Sequence, residues 1–273
     1  MTTDWFAGKV AERYDSSTAA MPVEPVVDFL VPFASGGAFE LAIGTGRIAV
    51  PLAARGVRVA GIDLSPDMVA QLRKKTDSIP VEIGDMATTR VDGTFSLAYV
   101  VFNSINNMTT QDGQVAVFEN AAAHLEPGGC FVVEVGVQNR QRLEVFDLSD
   151  THVGVDELDF DTQRLVSHHF SLVDGEWKRA SVPFRSVSPA ELDLMARLAG
   201  MTLRERWADW DRLPFTAEST KHVSVWEKSR RSSSRSRRSG SSFGRSSSRM
   251  PTISASPRNG SGRRSTATNA TAG

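Results

Sequence analysis

Five residues have the types and spacing to do chemistry: Glu40, Gly44, Gly46, Asp63 and Asp85. The run Phe39-Glu40-Leu41-Ala42-Ile43-Gly44-Thr45-Gly46-Arg47 reads as a strand that enters a glycine turn and then a helix. Glycines there let a ligand approach the backbone, and the amides that open the helix face it. Asp63 closes a second apolar stretch, where a carboxylate accepts hydrogen bonds from both hydroxyls of a ribose. Gly84-Asp85-Met86 closes a third. Asp85 suits an exocyclic amine of adenine, and Met86 suits the flank of its ring. Glu40 lies inside the first strand, where a buried acid needs a partner. The glycine turn taken alone does not discriminate, because Gly44-Thr45-Gly46-Arg47-Ile48-Ala49 also fits the dinucleotide pattern G-x-G-x-x-A.

The elements that must position these residues follow one another in a regular order. Two helical segments fill residues 1–36, the second over Val23–Val31 with Val26, Val27, Leu30 and Val31 at helical spacing. Strands are predicted at Ala38–Ala42, Val57–Ile62, Val81–Ile83, Phe95–Phe102 and Phe131–Val135. Helices are predicted at Gly46–Arg55, after Ser65-Pro66, and at Gln114–Leu125, the last stopped by Pro127-Gly128-Gly129. Ser65 is an N-cap with proline at the first helical position. Alternation of this kind predicts a parallel sheet with helices on both faces. A helix over Pro189–Ala199 and two strands, Met201–Trp207 and His222–Trp226, complete it. The last two strands can be neighbours only through a hairpin-like return, so one of them runs antiparallel.

Charge is divided unevenly along the 273 residues. Residues 229–273 hold ten arginines, fifteen serines and no acid. Such a tail cannot bury enough apolar surface to fold, and it is predicted to be disordered. With those arginines set aside, 21 basic residues face 32 acidic ones, a body charge of about −11 over residues 1–228. An acidic body repels phosphate backbones, so nucleic acid is a poor acceptor for it. Cys130, the single cysteine, sits in an apolar strand run and reads as a core thiol. Neither a leader pattern nor a membrane-length apolar run is visible, so a cytoplasmic location is expected. No metal-ligand spacing occurs.

Taken as an ensemble, Glu40, Gly44, Gly46, Asp63 and Asp85 resemble the motifs of the class I S-adenosylmethionine-dependent methyltransferases. In that family an acid and a glycine run follow the first strand. Here Glu40 matches the acid, Gly44 and Gly46 match the last two glycines, and Ala42 replaces the first. Asp63 matches the ribose acid and Asp85 the adenine acid, while Leu125-Glu126-Pro127-Gly128-Gly129 resembles the segment before the fifth strand. The resemblance spans roughly residues 1–228 and is weakest over 136–187. It implies a Rossmann-like α/β fold with a seven-stranded, mostly parallel sheet and helices on both faces. It also implies S-adenosyl-L-methionine as cofactor, with methyl transfer to an oxygen or nitrogen of a small molecule. Tyr14 resembles the tyrosine that ends the N-terminal helix in small-molecule members and lies over the cofactor's methionine end. Glu40 and Asp85 weigh against an NAD(P)-dependent oxidoreductase. A nucleic-acid methyltransferase anchored by the basic tail is the other alternative.

On the acceptor side, Phe102 and Asn103 end the fourth strand, where ligands of open parallel sheets bind. They are expected beside the cofactor. The insert at about 137–187 breaks the alternation and is expected to form an antiparallel lid. Asp174-Gly175 is a two-residue hairpin turn that pairs Val173 with Glu176 and Leu172 with Trp177. One face then holds Val166, His168, Phe170, Leu172 and Trp177, and the other Ser167, His169 and Ser171. If the apolar face covers the cleft, His168 is the candidate general base and His169 points to solvent. A packed, non-catalytic His168 remains the plainer alternative.

Overall fold

The structure, a computed structural model, describes residues 4–137 and 141–230. The disordered tail expected from residue 229 onward lies outside the described residues beyond Arg230. Among the described residues no helix is long and apolar enough to cross a membrane.

A seven-stranded sheet forms the centre. Its strands are β1 (Ala38–Leu41), β2 (Val59–Asp63), β3 (Val81–Ile83), β4 (Phe95–Val100), β5 (Leu125–Gly136), β10 (Met201–Trp207) and β11 (Lys221–Lys228). Their spatial order is β10-β11-β5-β4-β1-β2-β3. The first five run parallel. β11 lies antiparallel to both β5 and β10, which is the return that the sequence demanded. β1, β2 and β4 are buried along their length and, Glu40, Asp63 and Ser96 apart, largely apolar, as strands covered on both faces must be. Phe39, Leu41, Phe118, Phe131 and Trp226 fill the core on one face of the sheet. Val27, Leu30, Ile48, Leu52 and Val225 fill it on the other.

The helices are α1 (Lys9–Ser17), α2 (Glu24–Leu30), α3 (Ala49–Ala54), α4 (Pro66–Arg73), α5 (Gln111–His124) and α6 (Pro189–Leu198). Ser65 caps α4 through the Met68 amide at 3.3 Å. Several boundaries shift by one to three residues from those read in the sequence, and two of the differences have a clear local cause. α5 begins three residues earlier than expected, because Thr110 caps it by accepting from the Gly113 amide. β5 begins at Leu125 rather than Phe131, and Pro127-Gly128-Gly129 lies inside it. A register irregularity opposite Phe95 and Leu97 absorbs that segment, so proline and glycine mark a bulge there and not a loop.

After β5 the chain builds a second, four-stranded antiparallel sheet, β6 (Leu143–Leu148), β7 (His152–Leu158), β8 (Arg164–Val173) and β9 (Glu176–Arg185). The β8–β9 turn is Asp174-Gly175, with Val173 opposite Glu176 and Leu172 opposite Trp177. The pairing follows the sequence, but the facing does not. The apolar side is the open one, with Trp177 53 % and Leu148 76 % exposed, whereas Leu165 and Ser167, on the side of His169, are 5 % and 6 % exposed. β9 packs against the turn at Ser104–Asn107, at the carboxyl end of the main sheet. Burial along β8 is greatest at Leu165 and Ser167, near the end where β9 meets the main sheet, which alternation alone could not decide.

Candidate active site

The carboxyl ends of β1, β2 and β4 open onto a cleft of about 950 Å³, its mouth included. Tyr14, Glu40, Gly44, Asp63, Asp85, Met86 and Phe102 all line it. Chain geometry at its floor is tight. Ala42, Gly44 and Gly46 all hold left-handed backbones, at φ 59°, 57° and 76°. At Gly46 a side chain would also meet Leu72 and Val50 at 3.0 Å. That glycine therefore shapes the turn from behind and does not line the cleft.

Asp63 has two tasks. Its Oδ2 accepts from the Gly44 amide at 2.6 Å and its Oδ1 from the Ser65 amide at 2.8 Å. The carboxylate at the end of β2 thereby fixes the glycine turn at the end of β1. Each oxygen keeps a lone pair for a ligand. Burial raises the Asp63 pKa, and the two amides oppose that rise.

Glu40 is 3 % exposed, and its partner, which the sequence left unnamed, is Tyr99. The Tyr99 hydroxyl donates to Glu40 Oε2 at 2.8 Å. Burial pushes the Glu40 pKa up to about 8, while Tyr99, Arg47 and the Ala49 amide pull it down. Asp85 Oδ1 accepts from the Ala87 amide at 2.8 Å, and Met86 is buried beside it. Tyr14 has its phenol pKa raised, chiefly by burial.

Several residues depart from expectation. Asn103 does not line the cleft; its Oδ1 accepts from the Gly136 amide at 2.6 Å and ties the end of β4 to the end of β5. Its left-handed backbone, shared with Phe102, turns the side chain that way. Ser104, Asn107 and Met108 face the cleft in its place. His168 lies on the second sheet away from the cleft lining, where its Nδ1 contacts Ser181 and its Nε2 stands 3.5 Å from Glu157. The lid supplies no cleft-lining residue among the described residues. Asp4, Trp5, Phe6 and Arg47 line the cleft without having been foreseen. Trp5 and Phe6 precede the first helix and carry no periodic signal. Arg47 was visible beside the glycines but had no assigned task.

Known proteins share this arrangement. Residues 38–129 match the family model described as a methyltransferase domain. The chain is 32 % identical to the CcbJ methyltransferase of Streptomyces caelestis, with a TM-score of 0.72, over 81 % of this chain and 96 % of that one. The chain belongs to the class I S-adenosylmethionine-dependent methyltransferases. Among curated relatives of this methyltransferase, the dTDP-3-amino-3,4,6-trideoxy-alpha-D-glucopyranose N,N-dimethyltransferase of Streptomyces venezuelae is 32 % identical over 120 residues, 44 % of this chain. That match spans half the length of the relative. The cypemycin N-terminal methyltransferase of a Streptomyces species is 28 % identical over 69 % of this chain and 82 % of its own. Membership in this family sets aside the dinucleotide oxidoreductase.

Proposed function

We propose that the chain transfers the methyl group of S-adenosyl-L-methionine to a nitrogen or oxygen of a small-molecule acceptor. The observation that carries this reading is the Asp63–Gly44 tie, which holds a left-handed glycine turn against two buried acids. The donor set fits the cofactor. Asp63 offers lone pairs to the ribose hydroxyls, Asp85 an acceptor for the adenine amine and Met86 an apolar flank. Glu40 and Arg47 offer opposite charges to the ammonium and carboxylate of the methionine end, and Tyr14 covers that end. When bound, the cofactor supplies an electrophilic methyl on a positive sulfur. The chain's own task is to align the acceptor, exclude water and take up a proton. Trp5 and Phe6 provide an apolar rim for that exclusion.

Nitrogen is the favoured atom, since both curated relatives named above are N-methyltransferases. The acidic body supports a cationic amine acceptor over a polymer of phosphates. Calorimetry with S-adenosylmethionine and with NADH tests the cofactor, and binding of NADH alone overturns the reading. Mass spectrometry after incubation with isotopically labelled cofactor tests the acceptor. The probes are dTDP-3-amino-3,4,6-trideoxyglucose and a metabolite extract, and label is expected on nitrogen.

A further inference from the structure

One acid interrupts an apolar run of the core. Glu134 follows Phe131-Val132-Val133 in β5, and its side chain is only 13 % exposed. It does not line the cleft, yet both of its carboxylate oxygens are engaged. Oε2 accepts from the Phe102 amide at 3.0 Å. Oε1 accepts from the Trp210 indole at 3.0 Å, and Lys221 Nζ stands 3.8 Å from the same oxygen. The Glu134 carbonyl takes the next donor along the chain, the Asn103 amide, at 3.3 Å. Asn103 returns the tie by accepting from the Gly136 amide, two residues further along β5.

These bonds hold a strained piece of backbone. Phe102 and Asn103 are consecutive and both left-handed, at φ 55° and 60°. Asparagine tolerates that region, but a bulky phenylalanine adopts it only where its surroundings impose it. The kink ends β4 and presents the exposed Phe102 ring to the cleft. The Arg47 guanidinium lies over that ring, 5.7 Å from its centroid. Arg47 lines the cleft too, and among the described residues its guanidinium makes no hydrogen bond or ion pair. Its charge reaches Tyr14 and Glu40, pulling the pKa of each down against burial. That places it at the end of the cleft assigned to the methionine part of the cofactor.

We propose that Glu134 is a positioning residue for the cofactor: it fixes the Phe102 kink, the Phe102 ring fixes Arg47, and Arg47 meets the cofactor's carboxylate. The inference rests on the methyl-transfer reading above, in which Arg47 faces that carboxylate. A guanidinium on a long side chain loses rotamer freedom when it binds, and a ring already beneath it lowers that cost. An acid in the ring's place would pair with Arg47 and compete with the cofactor's carboxylate. A neutral aromatic face orients the guanidinium and leaves its five donors free. The acid stands one step back, on β5, where it secures the ring without neutralising the arginine.

Two measurements on the full chain test the proposal. The first needs no ligand. The Arg47 Nε–H resonance, assigned by its absence in Arg47→Lys, is expected to be shifted by the Phe102 ring current. Glu134→Gln and Phe102→Leu are each expected to remove that shift. Glutamine has one acceptor oxygen for two donors, so adding Trp210→Phe, which deletes the indole donor, should restore it. A shift that survives Glu134→Gln overturns the coupling. Phe102→Leu tests the ring with Glu134 intact, so a Glu134→Gln protein that fails to fold does not end the test. The second is calorimetry with S-adenosylhomocysteine and with 5′-methylthioadenosine, which lacks the amino and carboxyl groups. Glu134→Gln and Phe102→Leu are each expected to weaken the first ligand about tenfold and to leave the second unchanged. Combined with Arg47→Ala, Glu134→Gln should weaken it no further. Equal losses for both ligands, or losses that add to that of Arg47→Ala, overturn the role as a positioning residue. Parent protein that binds neither ligand would count against the cofactor reading, while the arginine resonance still decides whether Glu134 sets Arg47.

Discussion

The Tyr99 hydroxyl donates to Glu40 Oε2 across 2.8 Å, between a phenol on β4 and a carboxyl on β1 that are both buried. With its pKa pushed up to about 8, Glu40 is largely protonated at neutral pH before any ligand arrives. A cationic ligand favours the carboxylate, so cofactor binding at pH 7 is expected to release close to one proton. Calorimetry in buffers of different ionisation enthalpy reads this directly, and identical apparent enthalpies would refute it. Affinity should rise up to tenfold per pH unit below about 8 and level off above it. Stability has the opposite slope. The folded carboxyl holds its proton up to about pH 8 and the unfolded one only to its ordinary 4.5, so this contribution falls as pH rises between them. Glu40→Gln should flatten that decline.

Asp63→Ala should damage both stability and binding. It strands the Gly44 and Ser65 amides in a buried turn and removes the ribose acceptor. Hydrogen bonds to a charged group contribute about 1.5–3 kcal/mol each. Urea denaturation should therefore show a loss of several kcal/mol, and the dissociation constant should rise about a hundredfold or more. Asp63→Asn, which keeps one acceptor oxygen, should fall between.

Ala42→Gly should stabilise the protein. Ala42 holds φ 59°, a conformation that costs an L-residue roughly 1–2 kcal/mol. The extra freedom that glycine gives the unfolded chain offsets about half of that gain. A rise of ~0.5–1 kcal/mol by denaturant titration is expected, with cofactor affinity unchanged. A loss of stability would mean that the Ala42 methyl packs better than its backbone suggests.

Arg185→Ala should loosen the lid. Arg185 is buried at the end of β9 and binds Gln114 on α5, Gln163 at 2.5 Å and Glu191 on α6 at 2.7 Å. Removing it leaves Glu191 without its ion-pair partner at low exposure, at a cost of about 3–5 kcal/mol. Hydrogen exchange should speed up in β8 and β9 before it does in β1 and β2. Equal acceleration in both sheets would show that the lid does not open on its own.

Much of this was legible in the sequence because the signals were local. The glycine turn, the Ser65 cap, the parallel alternation and the Asp174-Gly175 register each depend on a few consecutive residues. What the sequence could not give were relationships across the fold. Tyr99 and Glu40 are 59 residues apart and meet only when β1 and β4 pair. Asn103 looked like a ligand contact because of its position after β4, yet a left-handed backbone sends its amide to Gly136. Alternation groups His168 with apolar neighbours without saying whether either group reaches the cleft, and neither lines it. Trp5 and Phe6 reach the cleft from a segment with no pattern to read.

Among the described residues, no ladder of backbone hydrogen bonds connects the second sheet to the seven-stranded sheet. The cofactor turn belongs wholly to the larger sheet. Selection can therefore rewrite the second sheet strand by strand while the turn that holds the cofactor site together stays untouched. Laboratory diversification confined to residues 143–185 should yield folded, cofactor-competent variants far more often than the same number of changes spread along β1 and β2.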